Sequence, residues 1–206
     1  MAARSDLDEA PEAFRTALAA LRGVTARREV TLAEAPAPQR LAPYAVALTA
    51  DVTLDGDDVG TGRLVLLHDP AGHETWQGTF RLVTFVRADL DPDMASDPLL
   101  ASVGWTWLLE SLDQRGLGYL APSGTVTRVA SESFGTLAGR PASADIEIRA
   151  SWTPTVPGTD PAASGRSAPD VAGHVQAWCD LLCMTAGLPP LPSGVAVLPD
   201  RRGRRH

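Results

Sequence analysis

Two imidazoles and two carboxylates fall close together in His68-Asp69-Pro70-Ala71-Gly72-His73-Glu74. Imidazole titrates near neutrality and ligates divalent metals, so this combination suits metal binding or acid–base catalysis. The spacing is incomplete for a zinc-protease motif, because His73-Glu74 lacks the second histidine that such a helix carries. Proline and glycine in the middle of the segment also mark a turn rather than a helix. A solvated hairpin turn is the plainer expectation, with His68, Asp69, His73 and Glu74 as the candidates for any catalytic site.

Other constellations fall short of known chemistry. Asp89, Asp91 and Asp93 have the alternation of a calcium loop, but Met94 and Leu100 stand where its glycine and its bidentate glutamate belong. Acids just ahead of a helix favour its N-terminal dipole, which is the expected role here. Cys179 and Cys183 lie one helical turn apart, which suits reduced packing residues better than a disulfide. His174 falls on another side of that helix, in its apolar stripe, so a hydrogen-bonded core histidine is expected rather than a third ligand. Gly60-x-Gly62 and Gly116-x-Gly118 lack the third glycine of a dinucleotide loop, and no Gly-x-Ser-x-Gly elbow occurs.

Composition narrows the chemistry further. The 206-residue chain has no lysine and no asparagine, so all eighteen of its basic residues are arginine. A Schiff-base lysine, a pyridoxal-phosphate lysine and a phosphate-loop lysine are therefore excluded. A net charge of −7 disfavours a broad nucleic-acid or anionic-membrane footprint. The exception is the end of the chain, where Arg201, Arg202, Arg204 and Arg205 sit close together. A basic tail on an acidic body is a candidate for RNA contact, although no aromatics interleave it for base stacking. No apolar run reaches the ~20 residues of a membrane span, and no apolar signal core follows Met1, so a cytoplasmic location is expected.

The elements that must position these residues follow from periodicity. Phe14, Ala17, Leu18 and Leu21 make one face of a helix over about 8–22, and a short strand is expected near 28–34. Val46, Leu48, Ala50, Val52 and Leu54 alternate with Ala45, Ala47, Thr49, Asp51 and Thr53, which is a strand buried on one side. Asp55-Gly56 then closes a hairpin. The return strand covers about 61–68, and the 68–73 turn leads to a third strand at about 75–88. Asp97-Pro98 opens a second helix running to Arg115, apolar on most of its circumference. It carries Trp105 and Trp107 on different sides, so it must be covered on more than one flank or offer one flank as an interaction surface. Strands near 119–131 and 143–152 and a helix over about 170–186 complete the chain. The expected fold is α+β: a single antiparallel sheet, meander plus hairpin, with about three helices in the order α-β-β-β-β-α-β-β-α. Residues 1–187 form one domain with a mobile linker at 153–169, and 188–206 is a proline-rich, basic tail.

Several strings are specific in combination: Ala37-Pro38-Gln39-Arg40-Leu41-Ala42-Pro43-Tyr44, Gly78-Thr79-Phe80-Arg81, Asp97-Pro98-Leu99-Leu100, Gly104-Trp105 and Trp178-Cys179-Asp180-Leu181-Leu182-Cys183. Over roughly residues 10–190 the chain thereby resembles an actinobacterial family of uncharacterised proteins, domain of unknown function 3000. The resemblance implies no activity, cofactor or site residue. The residues themselves favour a non-catalytic interaction or scaffold-type module with no cofactor, engaging a protein partner or a second copy of itself. The rivals are a small metal-dependent or acid–base enzyme built on the 68–74 turn, and an RNA-associated accessory protein acting through 201–205.

Overall fold

The computed structural model describes residues 10–38, 40–156 and 168–189. Its elements in chain order are α1 (Glu12–Arg22), β1 (Val30–Ala35), β2 (Tyr44–Leu54), β3 (Asp57–His73), β4 (Gly78–Leu90), α2 (Pro92–Ala95), α3 (Leu100–Gln114), β5 (Tyr119–Ser131), β6 (Ser143–Pro154) and α4 (Val171–Thr185). The strands form one six-stranded antiparallel sheet in the order β1-β2-β3-β4-β6-β5. This is the expected α+β class, with the short α2 added.

Alternation in the strands decides what each face of the sheet does. Val46, Leu48, Ala50 and Val52 of β2, Leu64 and Leu66 of β3, Leu82 and Val86 of β4, and Ile146, Ile148 and Trp152 of β6 join one core with α1, α3 and α4. Helix α4 lies across the middle of this face. A Cβ on Gly62 of β3 would come within 2.7 Å of Leu182 and 2.9 Å of the Trp178 ring, so glycine there is what allows the helix so close. Helix α3 covers the β5–β6 end, where Gly104 lets it settle on Ile146 and Val126.

The opposite face is divided. Toward β2 and β3 a second, smaller core of Ala47, Val65 and Leu67 is covered by Ala37, Ala42 and Trp76. Ala37 and Ala42 belong to the proline-rich segment between β1 and β2, which the Arg63 guanidinium fastens by donating to the Pro36 carbonyl. Toward β4, β6 and β5 the face is polar, and no described helix lies on it.

Several boundaries differ from expectation, and those that bear on the site are these. The strand does not stop at His68: β3 continues to His73, and the reversal is the short 3-10 turn Glu74–Trp76. His68 pairs with Phe80 and His73 with Gly78, so residues 69–72 bulge against Thr79. The Asp69 carboxylate accepts from the Ala71 amide and Gly72 takes φ 78°, which is how proline and glycine fit inside a strand that sequence reads as a turn. Helix α1 starts at Glu12; residues 1–9 lie outside those described. Asp91 caps the added α2 by accepting from the Asp93 amide, so one of the three acids has a defined role. Helix α3 begins at Leu100, one turn past Asp97-Pro98, although Asp97 still caps that turn by accepting from the Leu99 amide at 2.8 Å. Thr153 and Pro154 belong to β6. Residues 157–167 of the expected linker and 190–206 of the tail, with Arg201, Arg202, Arg204 and Arg205, lie outside the described residues.

Candidate functional site

The four residues of the 68–74 segment do not converge. His68 follows Leu64 and Leu66 in alternation, so it points into the main core and is fully buried. Its ring stacks on Phe80 at 4.1 Å and lies 5.9 Å from Phe14, and its Nδ1–H donates to the Thr79 carbonyl. Burial lowers its pKa. Asp69 points the other way and serves the bulge. His73 and Glu74 are exposed, and the His73 ring stacks on Trp76 at 4.8 Å. Among the described residues no three His, Cys, Asp or Glu side chains gather as a metal-ion cluster.

The remaining sequence candidates are packing residues. Cys179 and Cys183 are free thiols facing the core from α4, and burial pushes them up to about 12 and about 11. His174 is buried beneath α4, where its Nδ1 accepts from the Trp152 indole N–H at 3.2 Å. Trp105 and Trp107 are half-buried against the main core of the same chain, with Trp105 over Gly124 of β5.

Arg81 enters the sequence reading only within Gly78-Thr79-Phe80-Arg81, without a role. It sits between Phe80 and Leu82 of β4, both buried in the main core, so alternation turns its side chain to the opposite face. There it is only 7% exposed. Its guanidinium Nη1 donates to the Thr153 hydroxyl at 3.0 Å. Nη2 donates to the Ser151 hydroxyl at 2.7 Å, the Ser151 carbonyl at 3.2 Å and the Ser123 hydroxyl at 3.2 Å. Every one of these acceptors is neutral, and among the described residues no carboxylate pairs with Arg81. Burial pulls its pKa down, the direction expected of a cation stripped of water with no counter-charge.

Its neighbours on the face are committed differently. Arg87 pairs with Asp145 at 2.8 Å, and Arg149 pairs with Glu147 at 3.1 Å while lying over the Phe85 ring. Ser123 and Ser151 face each other across β5 and β6, and Thr125 faces Arg149. These four side chains, with Val83 and Ala150, line a shallow open groove of about 400 Å³. Arg81 is not itself part of that lining and reaches the groove through Ser123 and Ser151, whose hydroxyls accept from it. Arginine can only donate, so each hydroxyl that accepts from Arg81 keeps its own proton to donate elsewhere. Thr153 gives its proton to the Trp76 carbonyl at 2.5 Å. Ser123 and Ser151 stand 3.2 Å apart and can share only one of theirs, which leaves a donor for the groove.

The chain belongs to the family described as Protein of unknown function (DUF3000). The family match runs over residues 10–196 and so contains the whole sheet, the Arg81 cluster and α4. No curated protein and no solved structure matches the chain.

Proposed function

We propose that this DUF3000 protein is a non-catalytic interaction module that engages a protein partner through the polar half of the sheet face on which no described helix lies. The observation that carries the reading is Arg81: a buried cation, bonded among the described residues only to neutral acceptors, two of which are serines lining an open groove. A buried charge without a counter-charge is expensive to maintain unless something outside supplies one. The groups that would serve an enzyme support the same reading. His68 and His174 are held neutral in the core, the thiols are held protonated, and His73 and Glu74 stand apart from His68. A cytoplasmic setting in an actinobacterial cell belongs to the proposal, supported by the buried free thiols and the lysine-free composition. Among the described residues no helix is long and apolar enough to cross a membrane.

Site-specific photo-crosslinking in native cells tests this. A benzophenone residue at exposed position 125 is expected to give a discrete protein adduct, and the same residue at position 74 none. Adducts from 74 and not from 125 would overturn it. So would stoichiometric metal that is lost in a His68→Ala, His73→Ala double variant, which instead favours the acid–base enzyme.

A further inference from the structure

We infer that the groove over Arg81 binds a phosphate monoester carried on the protein partner, an inference that rests on the interaction-module reading above. Four features of the groove specify an oxyanion. The guanidinium of Arg81, paired with no carboxylate among the described residues, places a positive charge behind the two serines of its wall. Ser123 and Ser151, polarised by accepting from that cation, have a proton to give to a ligand. Thr125 places another hydroxyl on the groove wall. Arg149, 64% exposed, puts a second guanidinium beside it, with one hydrogen bond to Glu147 and donors to spare.

The surroundings specify how the anion is presented. Sites for free small molecules enclose most of their ligand, and this groove is open and shallow. A phosphate displayed by a larger partner needs no enclosure. The groove also borders β5, which pairs only with β6 and so has a free edge among the described residues. An extended peptide bearing the phosphate can hydrogen-bond along that edge. A polyanion is disfavoured, because Glu147, Asp145 and Asp89 follow along the same strands within a few residues of Arg149. One phosphate meets the serines, Thr125 and Arg149, and a run of them meets carboxylates.

The test uses the full chain, isotope-labelled for NMR, at constant ionic strength. Titration with sodium phosphate is expected to shift the amides of Ser123, Thr125 and Ser151 saturably, with sodium chloride giving no such shift. A short glycine-flanked phosphoserine peptide should bind at least tenfold tighter than inorganic phosphate, and its unphosphorylated form should not bind. Ser123→Ala combined with Ser151→Ala should weaken binding at least tenfold while the rest of the spectrum stays unchanged. Arg149→Gln, at an exposed position, should weaken it severalfold and serves as the second variant. Identical shifts in chloride, or undiminished binding in both variants, would overturn the site. Binding of inorganic phosphate with no gain for the peptide would overturn the protein-borne source in favour of a free phosphorylated molecule. If crosslinks from position 125 persist while phosphate fails to bind, the phosphate assignment falls and the interaction module stands.

Discussion

His174 is buried against Trp152, and desolvation pushes its pKa down to about 4, against the opposing pull of the Asp170 charge and the Gly118 backbone. The folded protein therefore holds this imidazole neutral where the unfolded chain, with an ordinary value of 6.5, already takes up a proton. Below that value protons bind the unfolded state preferentially, so stability is lost as pH falls from 6.5 toward 4 and is fully present above. At about 1.4 kcal/mol per unit, the loss between pH 7.5 and pH 5 is about 2 kcal/mol from this residue. His68 acts in the same direction. Urea unfolding of the wild type and of His174→Gln, which retains an acceptor for the indole, checks this: the variant should show the shallower pH dependence. Equal slopes would place the acid sensitivity elsewhere. At this scale the sequence is half legible. The apolar stripe of α4 marks His174 as a core residue, whereas His68 reads as part of a turn because Asp69-Pro70 follows it immediately. Arg81 is illegible, since its acceptors Ser123, Ser151 and Thr153 come from strands far along the chain.

Elements were legible wherever local pattern and long-range packing agree. The β2–β3 hairpin is the clearest case: one-sided alternation flanks Asp55-Gly56, and both turn residues adopt positive φ, 53° and 100°. The β3–β4 connection misleads because a bulge absorbs the turn-forming residues and postpones the reversal to Gln77, which takes φ 57°. Helix α3 is read correctly as apolar nearly all round, and the reason is geometric: it packs on the sheet through Gly104 and on α4 through another flank. Helix α4 in turn depends on Gly62. Alanine there would push against Leu182 and the rigid Trp178 ring, with the Phe85 carbonyl at 3.3 Å closing the third side. Gly62→Ala is therefore expected to destabilise the protein by about 1–3 kcal/mol, the range for overpacking a filled core. A chemical denaturation curve measures it. An unchanged midpoint would mean that α4 can lift away from the sheet at little cost.

The whole molecule is one sheet used twice, with a deep core under the helices and a thinner one beneath the proline-rich segment, leaving the β4–β6–β5 half of that second face polar. Composition and strand alternation announce the α+β class, yet they cannot say which face the described elements leave uncovered, because coverage depends on the path of connections such as the one between β1 and β2. The position of α4 has a consequence for synthesis. This helix comes last among the described elements, yet it supplies Val171, Val175, Trp178, Leu181 and Leu182 to the centre of the main core. A chain still on the ribosome with α4 inside the exit tunnel holds a sheet whose apolar face is uncovered in its middle, between α1 and α3. Such a nascent chain cannot complete its fold stepwise from the N-terminus, as domain-by-domain folding would allow. Stalled chains that stop short of Val171 should be digested rapidly by protease, and resistance should appear only when residues 171–185 have emerged. Resistance in the shorter chains would show that the sheet stands without its last helix. The expected pattern makes translation a period of exposure for this protein, lasting until its final described helix is free to dock.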